Sequence, residues 1–137
     1  MTAIVTRPTR ATRSDASLLR FALRADATLC AGLGLLIAMA ADPLSKLSGL
    51  SPTSEWISGA VLVVYGATLY LLAGLPDVRR VGGAVLAGNI AFAIVVTVVL
   101  VAGWLPLTGF GVVATIAFTA VTLAFAYVQY LGVRRLA

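Results

Sequence analysis

The chain has 137 residues, room for one domain, of which 61% are apolar and 11% charged, with a formal net charge of +5. A soluble domain is nearer half apolar and a quarter charged, and so small a fold has too few polar groups to cover this much apolar surface, so an exterior facing lipid is implied. One cysteine (Cys30) and no histidine exclude serine–histidine and cysteine–histidine catalysis, an internal disulfide, a CxxC redox pair, and the common zinc and haem ligations.

Residues 1–14, MTAIVTRPTRATRS, are polar and basic and read as a flexible cytoplasmic tail. Ser14-Asp15 has the chemistry of a cap for a helix beginning near Ala16. In the stretch ASLLRFALRADA, Arg20 and Arg24 lie one turn apart and share a face, which suits snorkelling to lipid headgroups. The uncharged run Ala27–Ala41 has only 15 residues, and a span needs about 20. The first helix, 16–41, therefore crosses only if Leu18–Asp26 is drawn into the membrane edge. Asp42-Pro43 is expected to end it, because proline disfavours helical geometry in the residue before it.

A loop rich in proline and glycine follows, with Thr53 or Ser54 placed to cap a second helix over 55–76. Trp56–Pro76 is a run of 21 uncharged residues, stopped by Asp77 and Arg79-Arg80. Val81–Val133 then holds 53 consecutive uncharged residues. As one helix it would be about 80 Å long, far more than a bilayer. The segment WLPLTG supplies turn chemistry, with Pro106, Gly109 and a capping Thr108. The third and fourth helices are thus predicted over 81–105 and 108–133. The expected fold is an all-α membrane protein: a four-transmembrane-helix bundle, up-down-up-down, forming a single domain over residues 15–137.

Nine of the ten basic residues fall on one side of this arrangement, and only Lys46 falls on the other. The positive-inside rule places the nine, and both termini, in the cytoplasm. Trp56 and Trp104 then become anchors at the outer interface, while Tyr70, Tyr127 and Tyr130 lie towards the inner one. Arg20, Arg24, Arg79, Arg80, Arg134 and Arg135 become headgroup contacts. Basic residues set in blocks beside apolar runs are a topology signal, so nucleic acid is not an expected partner. The expected location is the cell (plasma) membrane. The arginine-rich start, the apolar run and Ala38-Met39-Ala40 also have the layout of a secretory signal, but Asp15 and Asp26 are out of place in one. The endings LPDVRR and YLGVRR echo each other, as any two inward-ending helices can.

Polar residues within the spans are the candidate functional groups. Asp26 reads as an interfacial acid solvated by headgroup water or paired with Arg79 or Arg80, or as part of an ion path. Asn89 should point into the bundle, because a lipid-facing amide is poorly satisfied. Asp26, Tyr70, Asn89 and Gln129 each fall in the cytoplasmic half of a different helix. The hypothesis is that they face one polar vestibule. Gly32, Gly34, Gly59, Gly66, Ala84 and Gly88 permit close helix approach. Thr115, Thr119 and Thr122 can satisfy themselves on their own helix. Cys30 reads as a small buried apolar residue on the Asp26 side.

The patterns LRADA, GN and GWLPLTGFG, in a chain rich in alanine, valine and arginine, resemble small four-helix membrane proteins common in actinobacteria. The helix plan also resembles the broad DoxX-like group. Neither resemblance brings an activity, a cofactor or a site residue. Three function classes follow from the residues. The first is a non-catalytic accessory or assembly component of a larger membrane complex, and it suits the missing nucleophile–base pairs and the short loops. The second is a small oligomeric transporter or channel. The third is a lipid- or quinone-binding membrane enzyme. No metal and no cofactor is expected; the expected partners are the lipid bilayer and a protein subunit or a second copy of the chain.

Overall fold

A computed structural model describes residues 10–136, with side chains described from Ala16. The expected tail over 1–14 thus lies outside the described residues except for 10–14, which are helical. The described residues form five helices and no strand: α1 (Arg10–Met39), α2 (Ala41–Ser48), α3 (Pro52–Leu72), α4 (Val78–Ala102) and α5 (Gly109–Arg135). Four segments are long and apolar enough to cross a membrane: Ala16–Met39 of α1, and the whole of α3, α4 and α5. The chain is therefore built as a multi-pass membrane protein.

The helix bounds differ from expectation where proline and serine are involved. α1 runs through Ser14-Asp15 and stops at Met39, ahead of Asp42-Pro43. The segment expected as a loop contains α2, in which Pro43 sits in the first turn. A backbone N–H has no intrahelical partner there, so its absence costs nothing. Gly49 closes α2 in the left-handed region at φ 88°. Ser51, not Thr53 or Ser54, caps α3, accepting from the Ser54 N–H at 3.1 Å, and Pro52 takes the first helical position. Asp77 caps α4 and pairs with the exposed Arg80 at 3.6 Å. Thr108 caps α5 as expected, accepting from the Gly111 N–H at 3.1 Å.

α1 is the hub. It packs most extensively on α3 and also touches α4 and α5, which pair with each other. The substantial contacts of α3 are with α1 and α2 alone. α1 and α3 run antiparallel, with the small residues Ala27, Ala31, Gly34 and Ala38 facing Gly59 and Gly66. Gly32 and Gly88 lie outside this seam, and a Cβ on either would meet nothing within 4 Å. Near one end the core is Leu19, Leu23, Ala27, Leu69, Ala73 and Val78. Leu19 fills the space left by Gly82 and Gly132. α4 and α5 are further joined by an edge-to-face contact of Phe92 with Phe118, with ring centroids 5.8 Å apart.

The two ends of the molecule differ. One gathers Arg20, the first turn of α4 with Arg79 and Arg80, and the end of α5 with Arg134 and Arg135. We call it the basic end. The other is a polar clasp: the Thr108 N–H donates to the Ser48 carbonyl at 2.9 Å, and the Thr108 hydroxyl donates to the Leu47 carbonyl. The Ser48 hydroxyl donates to buried Glu55. Exposed Trp56 and Trp104 flank this end. Thr108→Ala removes the α5 cap and the hydroxyl bond to the Leu47 carbonyl, and leaves the backbone bond to Ser48 in place. It is expected to lower stability in detergent by about 1–2 kcal/mol, read from the thermal midpoint.

Candidate polar site within the helices

Three of the four residues expected to share a vestibule meet inside the bundle. The Asn89 amide donates to Gln129 Oε1 at 3.0 Å, and the Gln129 amide donates to Asp26 Oδ2 at 2.9 Å. The Cys30 thiol, one turn along α1, donates to Asp26 Oδ1 at 3.5 Å. The chain of bonds links α4, α5 and α1. Gln129 is fully buried, and Asp26 and Asn89 are 5% and 7% exposed. Asp26 lies two residues on from Arg24, about 3 Å further along the axis, and is turned inward from it. Its oxygens face an amide and a thiol, not Arg79 or Arg80, which are exposed.

Helix position explains the convergence. Asn89 and Gln129 are buried on facing sides of α4 and α5. α1 lies against that pair and turns Asp26 and Cys30, spaced i and i+4, towards it. Buried side-chain polar atoms without a partner are absent among the described residues. The arrangement obeys the rule that polar groups in lipid must be satisfied by protein. Cys30 is more than a small apolar residue, because its thiol supplies the second donor to the carboxyl. The i, i+4 spacing from Asp26 is the signal that sequence reading can use to find it.

Tyr70 is not brought to this cluster. It is 47% exposed, and the Arg24 guanidinium lies over its ring, 5.0 Å from the centroid. Arg20 does something different from its neighbour one turn on. Its guanidinium donates to the Ala73 carbonyl at 3.0 Å and to the Leu75 carbonyl at 2.8 Å, at the end of α3. These carbonyls have no partner within a helix, and a rigid fork of donors suits them. Arg20→Gln is expected to cost about 1–2 kcal/mol in a denaturation titration, because a charged group's hydrogen bonds are lost. Thr115, Thr119 and Thr122 each bond the carbonyl four residues back, as expected.

Among the described residues, two surface grooves stand out. One, of about 660 Å³, runs between α1 and α3 and is lined by Phe21, Arg24, Ala25, Thr28, Leu29, Gly32 and Tyr70. The other, of about 390 Å³, lies at the tryptophan end beside Asp42 and Trp56. Neither is lined by Asp26, Cys30, Asn89 or Gln129. Among the described residues no group of three histidine, cysteine or acidic side chains is placed to hold a metal ion. In comparisons with protein-family models, curated proteins and solved structures, nothing matches this chain.

Proposed function

We propose that the chain is a non-catalytic membrane protein that serves as an accessory or assembly component of a larger complex in the cell membrane. One observation carries this reading. Asp26, Cys30, Asn89 and Gln129 hydrogen-bond one another and line neither groove, so they act as ties between helices. The one-sided packing of α3 agrees with it. Ile57, Val61, Val64 and Leu71 leave α3 with an exposed apolar face on a helix held chiefly by α1, the kind of face a neighbouring subunit can cover.

In this reading four spans run up-down-up-down, with the basic end and both termini in the cytoplasm. Nine basic residues on one side and one on the other support that orientation. So does the gathering of both tryptophans at the opposite end. The test is purification of the tagged chain from its native membrane in mild detergent, with identification of everything bound. A partner in fixed stoichiometry is expected, and Val61→Trp with Val64→Trp should loosen it without lowering the thermal midpoint. A clean monomer, or a partner indifferent to the α3 face, overturns the proposal.

A further inference from the structure

The α1–α3 groove has a charged end and an apolar length. Its α1 lining, Phe21, Arg24, Ala25, Thr28, Leu29 and Gly32, follows the i, i+3, i+4, i+7 pattern of one helix face. From Phe21 to Gly32 the stripe extends about 16 Å, half of a hydrocarbon core about 30 Å thick. The groove therefore has the depth of one leaflet. Arg24 stands near its basic end, braced on Tyr70. Gly32 stands at the deep end, where a Cβ would meet nothing within 4 Å.

The two arginines of this region divide their roles. Arg20 is held by the carbonyls that end α3. Arg24 is exposed, and its guanidinium carries a charge with no carboxylate beside it among the described residues, where the one ion pair is Arg80 with Asp77. The nearest acid in sequence, Asp26, is turned into the bundle and bonded to Gln129 and Cys30. A guanidinium stacked on an aromatic ring is fixed in orientation and keeps its in-plane N–H donors for a phosphate.

We propose that this groove binds one anionic phospholipid, with the phosphate on Arg24 and an acyl chain along Thr28, Leu29 and Gly32. Charge selects the lipid class. A zwitterionic headgroup would bring its own ammonium beside Arg24 and Arg20, with no acid lining the groove to receive it. An anionic headgroup brings only the charge that Arg24 lacks. This goes beyond the accessory role and holds whether or not a protein partner exists.

Native mass spectrometry of the full chain in mild detergent tests it. Phosphatidylglycerol and phosphatidylcholine of equal chain length are offered together. The wild type is expected to retain one phosphatidylglycerol with a preference of about fivefold or more, given a bidentate arginine–phosphate contact. Arg24→Gln should bring the preference close to one. Gly32→Leu should reduce retention of both lipids, and its thermal midpoint should hold or rise, because a Cβ there meets nothing within 4 Å and glycine is the poorer helix former. Tyr70→Phe keeps the ring and should bind as wild type. The proposal is overturned if the wild type shows no preference, or if Arg24→Gln and Gly32→Leu both bind as wild type. It is equally overturned if Arg134→Gln with Arg135→Gln abolishes the preference as fully as Arg24→Gln, since the binding surface would then be diffuse.

Discussion

Gly66→Leu is expected to prevent α1 and α3 from docking, and Gly66→Ala to remove about 2–3 kcal/mol of stability. A Cβ at Gly66 would lie 2.5 Å from the Ala27 carbonyl oxygen and 2.7 Å from the Ala31 nitrogen. Both are backbone atoms, which cannot swing aside as a side chain can. The helices would have to separate, and the loss would spread along the seam to Gly59 and Gly34. There a Cβ on Gly59 would stand 2.5 Å from the Gly34 carbonyl oxygen. Alanine has the higher helix propensity by about 1 kcal/mol, but that gain is smaller than the steric loss. At Gly32 and Gly88 the same substitution meets open space, so only the propensity gain remains. Thermal midpoints in one detergent should therefore fall for Gly59→Ala and Gly66→Ala and hold or rise for Gly32→Ala and Gly88→Ala. Equal effects at all four positions would show that α1 and α3 do not meet at this seam.

This contrast marks what could be read from the residues and what could not. A span-length apolar run between charged stops made α3 legible, and a run of 53 uncharged residues with one turn segment inside it made α4 and α5 legible, because bilayer thickness and helix rise tie run length to structure. α1, whose uncharged run is short, was legible only with Leu18–Asp26 added. Thr108 was legible as a cap, since its hydroxyl precedes a clean apolar run. α2 was hidden, because Pro43 reads as a breaker unless the helix is known to start just before it. The glycines were legible only as a set. Which of them meet a neighbour depends on the rotation of each helix about its axis, and a span that is apolar all round does not encode that rotation.

The polar residues show the same division. Their depths along each helix suggested that Asp26, Asn89 and Gln129 share one level. Depth carries no azimuth, so Tyr70 was grouped with them, although it lies with Arg24 on the α1–α3 surface. Arg20 and Arg24 share a face by spacing. The end of α3 separates their roles by offering carbonyls to the first alone. Glu55 stands at the start of the expected second helix with no sequence sign of a partner. Its burial with Ser48 follows from α2, which no pattern of charge or hydropathy announced.

Gln129→Leu is expected to lower stability by about 2 kcal/mol, more than either Asn89→Leu or Asp26→Asn. Gln129 is the middle member, donating to Asp26 and accepting from Asn89. Hydrogen bonds between membrane helices average about 0.6 kcal/mol and reach about 1.7. Losing two such bonds accounts for about 1–3 kcal/mol, and the loss is largest where the stranded groups stay buried. Asn89→Leu breaks one bond and leaves only one acceptor oxygen of Gln129 without its donor. Asp26→Asn keeps the size of the side chain and an oxygen to accept from Gln129, so a change of less than about 1 kcal/mol is expected. Pairwise coupling is read from the Asn89→Leu/Gln129→Leu double variant, which should cost much less than the sum of its parts. If the two losses simply add, the amides are not bonded, and Asp26 loses its link through Gln129 to α4. If they couple, α4 and α5 are tied by their amides, and through Asp26 the same buried polar chain reaches α1. A tie of that kind is specific because apolar side chains alone would let the helices turn.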